Sequence, residues 1–316
     1  MTYAPKTWVD GECLTAALLN AMETGIDIAQ GDVMKLYGLT AAIPVSDPTL
    51  IGRLYIESDL LLRWWRDNGM GWDLVFAGGG VVANGLLNNL IAYWPGNEVA
   101  GNALDAHTNA LHLTDTNTVT SNPGLVYPLA RQYTAVNDEY HTRPGDDALL
   151  STGDIDFTLA TLVRGDTWPA AAELGGKWDF AAAQREYRIR FEAGRIFFRV
   201  SPNGVATSTI QANTLGAPVI NTWYLVIAWH DSVADTINIE VNDGGIDSLP
   251  YATGVFDSTA AFRIAAEDGL GARFNGRIGP TMFWKSAAGA GGVKTPAERT
   301  ALWNGGTPLT YAAFTV

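Results

Sequence analysis

The sequence predicts a mainly β chain. A two-sheet β sandwich occupies residues 90–316, preceded by a short β meander and an N-terminal helical segment. Two observations carry the sandwich. Short β-branched or aromatic runs recur at "LIAYW" (90–94), "DFTLATLVR" (156–164), "REYRIRFEAG" (185–194), "RIFFRVS" (195–201), "WYLVIAWHD" (223–231), "TINIEVND" (236–243), "AFRIAA" (261–266) and "RIGPTMFW" (277–284). Gly, Asn, Asp and Pro separate them, and "EAGR" and "NDGG" read as hairpin turns. Almost no helical period competes, which leaves packed sheets as the architecture. One helix is signalled near the end, in "KTPAERTALWNGG". There Thr295 caps, Pro296 takes the first helical position, Glu298 completes a capping box and Gly305 supplies the stop, with Leu302 and Trp303 facing the sandwich.

The segment 1–40 carries Leu19, Met22, Ile26, Ala29, Val33 and Leu36 at alternating spacings of three and four, an a/d seam. Gly25 and Gly31 interrupt it at a cost of ~1 kcal/mol each. Two readings stay open: a self-associating coiled coil, and an amphipathic helix docked on its own chain. Residues 41–77 read as a meander with strands at 52–57, 60–66 and 71–75 and a turn at "RDNG" (Arg66–Gly69). Its Trp64, Trp65 and Trp72 outnumber what so small a sheet can hide. Either the rest of the chain covers them, or further copies do around a symmetry axis. Residues 78–89, punctuated by "GGG" and "NG", read as a linker. Gly78, Gly80 and Ala83 imitate a dinucleotide fingerprint there, but Asn84–Gly85 breaks the helix that motif needs and no alternating strand–helix pattern follows.

Composition narrows the function. Of 316 residues, 47% are hydrophobic and 17% charged, which is enough apolar material for a sizeable core. Twenty basic against 33 acidic residues leave a formal charge of −13 with no Lys/Arg-rich run, which argues against nucleic acid or an anionic membrane as partner. Cys13 is the only cysteine, so neither an intrachain disulfide nor a cysteine metal cluster is expected. No signal peptide is visible, and no run nears the ~18 apolar residues of a membrane span. The expectation is a chain made in a cytoplasm without membrane insertion.

Residues 90–316 resemble the laminin-G-like (concanavalin A-like lectin/glucanase) jelly rolls. The resemblance rests on the order of "AYWPGNEVAGNALDAH" (92–107), "DFTLATLVR", "NTWYLVIAWHDSVADTINIEVNDGG" (221–245), "FNGRIGPTMFW" (274–284) and "ERTALWNGG" (298–306). The meander resembles a segment of bacteriophage fibre proteins through Gly52, Leu54–Tyr55, Asp59, Trp64–Trp65–Arg66, Asp67–Asn68–Gly69 and Trp72. "KTWVDGECLTAALLNAMETGI" is similar to the virion-anchoring starts of phage tail and fibre proteins. Together these resemblances imply a virion protein, tail or fibre, that anchors to other virion proteins through its N-terminus. They further imply a homotrimer with Trp64, Trp65 and Trp72 in an intersubunit core, and a lectin-like head displayed for host-surface glycan adhesion. The alternatives are a head fibre or capsid decoration protein with no ligand, and, less favoured, a glucanase-like enzyme.

The enzyme reading needs two carboxylates facing one cleft. The nearest candidate, "GDIDFT", puts Asp154 and Asp156 on one face but Thr158 where a third acid would stand, so no enzyme is expected. No G-x-S-x-G, H-E-x-x-H or P-loop occurs. No cofactor is expected. The jelly-roll resemblance raises calcium, for which Glu98 and Asp105 are weak candidates. Gly279 stands where that family's last acidic ligand would be. For carbohydrate, the candidates are Asp166 and Trp168 in "RGDTWP", then Trp178 and Asp179 in "KWDF", each an aromatic ring beside a carboxylate.

Overall fold

The computed structural model describes residues 54–57, 63–67, 72–77, 85–267 and 271–315. The predicted seam at Leu19, Met22, Ile26 and Val33, the rest of 1–40 and Cys13 lie outside the described residues. The chain divides between Asn84 and Gly85.

In the first unit, β1 (Leu54–Glu57), β2 (Arg63–Asp67) and β3 (Trp72–Ala77) form an antiparallel meander in that order. Ile56 pairs with Trp64, Tyr55 with Trp65 and Asp67 with Trp72, and the β2–β3 register shifts between Trp64 and Trp65. The predicted second strand starts three residues late, at Arg63. Contacts of the three tryptophan side chains lie outside what is described.

The second unit opens with a 3₁₀ turn at Gly85–Leu87 and β4 (Leu90–Trp94). Four short strands follow: β5 (Thr114–Thr116), β6 (Thr120–Pro123), β7 (Leu129–Tyr133) and β8 (Tyr140–Arg143). The long strands are β9 (Asp156–Gly165), β10 (Ala171–Asp179), β11 (Gln184–Glu192) and β12 (Arg195–Val200). Then come β13 (Ser208–Gln211), β14 (Trp223–Asp231), β15 (Thr236–Val241), β16 (Asp247–Pro250), β17 (Phe262–Ile264) and β18 (Gly276–Ser286). Helix α1 (Pro296–Trp303) follows, and 3₁₀ turns at Asn304–Gly306 and Tyr311–Thr315 close the described chain.

They build two antiparallel sheets. The seven-stranded sheet has the order β13-β12-β11-β10-β17-β8-β5. The eight-stranded sheet runs β16-β15-β14-β9-β18-β7-β6, with β4 also beside β18. Alternation along each strand divides the side chains between faces. Phe157, Leu159, Val163, Val226 and Ala228 meet Tyr187, Ile189, Phe191, Phe198 and Phe262 between the sheets. Ala160, Leu162, Leu225, Ile227, Trp229 and Trp284 point the other way, under a second apolar layer that includes Leu86, Leu302 and Phe314.

That layer explains why "DFTLATLVR" and "WYLVIAWHD" read as nearly unbroken apolar runs: both faces of their sheet are covered. It also corrects the predicted linker. Leu86 is 0% exposed, and its carbonyl accepts a 2.6 Å bond from the Trp284 indole, so Gly85–Asn89 belongs to the sandwich. Burial of each such large side chain stabilises by about 1.5–3 kcal/mol.

The capping box of α1 is complete: Glu298 N–H donates to Thr295 Oγ1, and Thr295 N–H to Glu298 Oε2 at 2.7 Å. The left-handed stop begins at Asn304 (φ 44°), one residue before the predicted Gly305. Leu302 is buried, and Arg299 reaches Glu240 of β15 at 2.6 Å while lying 4.3 Å over the Trp229 ring.

Candidate functional site

One row of polar residues crosses the eight-stranded sheet. Trp223 of β14 stands opposite Arg164 of β9, which stands opposite Arg277 of β18, which stands opposite Gln132 of β7. Arg164 follows Leu162 by two residues, and Trp223 precedes Leu225 by two. The row therefore lies on the outer face, beyond the second apolar layer. Trp223 packs against that layer and stays half-buried, and Arg164, Arg277 and Gln132 are half-buried as well.

Asp166 ties the row together. Its Oδ1 meets Arg164 at 2.7 Å and its Oδ2 accepts from Gln132 Nε2 at 3.1 Å. Gln132 Oε1 in turn accepts from Arg277 Nε at 3.2 Å and from Asn122 Nδ2 at 3.1 Å. Asn221, held at φ 60° with its N–H on the Gly165 carbonyl at 2.8 Å, accepts from Arg164 through Oδ1. The result is a row of guanidinium, carboxylate and amide groups beside an indole, a set suited to hydroxyl-rich ligands.

Trp168 does not join Asp166 there. Its indole turns inward, 4.7 Å from the Phe191 ring and 5.8 Å from that of Phe274. Gly165 makes the room, since a Cβ at that position would come within 2.6 Å of the indole. Trp168 thus closes the sandwich edge.

Trp178 and Asp179 diverge for the reason that neighbours on a strand point oppositely. Trp178 is 2% exposed, under the Arg188 guanidinium at 4.1 Å, and presents no ring face to a sugar. Asp179 instead accepts the Ala182 N–H at 2.9 Å and shapes the β10–β11 turn. Arg188 belongs to a buried charge cluster on the seven-stranded sheet, bonded to Glu267 at 2.7 Å and Glu173 at 3.4 Å. Burial pushes the Glu173 carboxyl up to about 7, against the pull of Arg188 and Arg190, and lowers Arg188. Gly176 lets β11 approach here, because its Cβ would sit 2.6 Å from Arg188 Cα.

Both calcium candidates contact backbone N–H groups, and Glu98 also contacts Arg131. Glu98 Oε1 accepts the Leu104 N–H at 2.6 Å and its other oxygen pairs with Arg131 at 3.4 Å. Asp105, buried, accepts the N–H groups of Tyr93, His107 and Leu111, each at 2.9 Å. Among the described residues no group of three or more His, Cys, Asp or Glu is arranged to hold a metal ion.

Nor do the acids of "GDIDFT" face one cleft. Asp154 is exposed, while buried Asp156 accepts from Ser232 and from Gly289 N–H at 2.8 Å. A buried Ser151–Lys177 contact of 2.5 Å invites comparison with a nucleophile and base. Lys177 donates also to Asp146 at 2.8 Å and lies 3.2 Å from Glu186, an ion-paired ammonium that fastens two loops.

Sequence reasoning missed Trp223, Arg164, Arg277 and Gln132 as a group. Each ends or interrupts an apolar run, but only the pairing of distant strands makes them neighbours.

No protein-family model matches the chain, and no curated protein matches it. Solved structures do. The binding domain of Paraclostridial Mosquitocidal Protein 1 superposes with a TM-score of 0.52 at 14% identity, over 69% of this chain and 52% of that one. A structure of botulinum neurotoxin type C, whose cell entry is described as dependent upon interaction with two ganglioside molecules, gives 0.51 at 12% identity over 69% and 51%. The binding domain of botulinum neurotoxin DC in complex with rat synaptotagmin II gives 0.50 at 11% over 69% and 52%. The chain spans about half the length of each. At such identities the likeness is one of fold, and the fold is a mainly β, two-sheet jelly-roll sandwich.

Proposed function

We propose that this chain is a phage virion protein, a tail or fibre component, whose jelly-roll head adheres to a glycan on the host surface. The observation that carries the adhesion is the half-buried row Trp223–Arg164–Arg277–Gln132 with Asp166 and Asn221 at its rim. A sugar ring stacks on an indole and exchanges hydrogen bonds with planar polar groups, and this platform offers both on one rigid sheet face. Binding rather than turnover fits the scattered carboxylates, which serve loops and ion pairs. The structural neighbours described as binding domains fit it too.

The virion role rests on the N-terminal resemblances. Residues 1–40 anchor the chain to other virion proteins, 41–77 trimerise, 78–84 connect, and the head faces outward. Net negative charge keeps such a surface soluble. The test is whether antibody against residues 90–316 blocks adsorption of the parent phage. Blockade supports an adhesin. Unimpaired adsorption by particles that carry the bound antibody leaves a head fibre or decoration protein as the account.

A further inference from the structure

The polar row is electrically unbalanced. Arg164 has its counter-charge in Asp166 at 2.7 Å. Arg277 stands directly across from Arg164 and has no ion pair among the described residues. Its Nε is spent on Gln132 Oε1 at 3.2 Å and one terminal nitrogen on the Pro123 carbonyl at 3.0 Å. Neutral groups thus orient the guanidinium while its second terminal nitrogen makes no hydrogen bond among the described residues. Like charges directly opposed across strands are destabilising. Two arginines against one carboxylate also leave a local positive charge on a chain whose net charge is −13.

Such a guanidinium is held by its hydrogen bonds but left unneutralised, and an oxyanion would satisfy it end-on. We infer that the glycan this platform takes is an acidic one. Its anionic substituent is received by Arg277, and its hydroxyls are read by Asp166, Gln132 and Asn221 beside Trp223. The inference rests on the glycan-binding reading and narrows it. Guanidinium chemistry serves a sugar carboxylate and a sulfate or phosphate ester alike, so the ligand class is the oxyanion-bearing sugar.

The experiment uses the full chain on a glycan array holding matched neutral, carboxylated, sulfated and phosphorylated members. Wild type is compared with Arg277→Gln and Arg277→Lys, each checked for an unchanged thermal melt. The expected result is retention of acidic members and weak retention of neutral ones. Arg277→Gln should lose about tenfold to a hundredfold on the acidic members alone, as for a lost charge-assisted bond. Arg277→Lys should recover part of that, and added salt should weaken wild type toward the Gln variant. Which acidic arm responds identifies the oxyanion. Binding confined to neutral members, or acidic binding indifferent to Arg277→Gln, overturns the acidic assignment and leaves glycan adhesion standing. Binding to no member removes both.

Discussion

His141 of β8 is the most sharply defined titratable group in the sandwich. It is 0% exposed, with Nε2 3.0 Å from the Gly101 carbonyl and Nδ1 2.8 Å from the Tyr133 hydroxyl. A carbonyl only accepts, so Nε2 carries the hydrogen and Nδ1 accepts from Tyr133, which defines one neutral tautomer. Burial lowers its pKa from 6.5 to about 4. The Gly101 carbonyl and Asp115 pull upward, and Arg131 adds to the lowering. In the unfolded chain the imidazole takes a proton below 6.5, while in the folded chain it stays neutral until about 4. Stability from this group is therefore full above 6.5, falls as pH drops through that window, and levels off below about 4. The difference corresponds to about 3 kcal/mol.

Glu173 runs the other way. Its folded value of about 7 stands above the ordinary 4.5, so its contribution is full below 4.5 and lost as pH rises through 7. The two nearly cancel in wild type, and a variant must separate them. Gln at 141 mimics the neutral tautomer, donating to Gly101 and accepting from Tyr133, but cannot titrate. Urea unfolding of wild type and His141→Gln at pH 7 and pH 4 should show the stability difference between them shifting by about 3 kcal/mol in favour of the variant at low pH. Parallel pH profiles for the two proteins would refute the reasoning.

Glu173→Gln should show the mirror image, its stability relative to wild type rising between pH 5 and pH 8 in the same assay. Arg299→Ala should cost about 3–5 kcal/mol by stranding buried Glu240, whereas Arg299→Met with Glu240→Leu should recover most of it, read from denaturation midpoints. Gly165→Ala should lower stability by about 1–3 kcal/mol and red-shift tryptophan emission as Trp168 is pushed off Phe191. Trp223→Ala should leave the melting temperature within a few degrees and weaken glycan binding about tenfold, measured by titration calorimetry.

Strands β9, β11, β12, β14, β15 and β18 and helix α1 were legible because their signals are local: alternation, hairpin turns and a capping box lie within a few residues. The strands β5, β6, β7 and β8 were not, since "TDT", "TSNP", "LARQY" and "YHTR" are short and polar and gain their order from neighbours. β10 hid behind Gly175–Gly176, which weakens strand propensity yet admits Arg188. The outer apolar layer was half legible. Leu302 was placed from the helix pattern, but Leu86 sat in a stretch whose glycines and asparagines read as linker. Asp166 and Arg164 stand two residues apart in "RGDTWP", whereas Gln132, Arg277 and Trp223 come near them only through strand pairing that local sequence does not display, and Trp168, adjacent in sequence, turns inward.

The central claim is that the row around Trp223 and Arg164 holds a host glycan. The most direct measurement is retention of labelled protein on host cells, with and without mild periodate treatment, for wild type and a folded Trp223→Ala/Arg164→Gln variant. The account predicts retention of wild type that periodate abolishes and that the variant lacks. Equal retention of the variant, or wild-type retention that survives periodate, would contradict it.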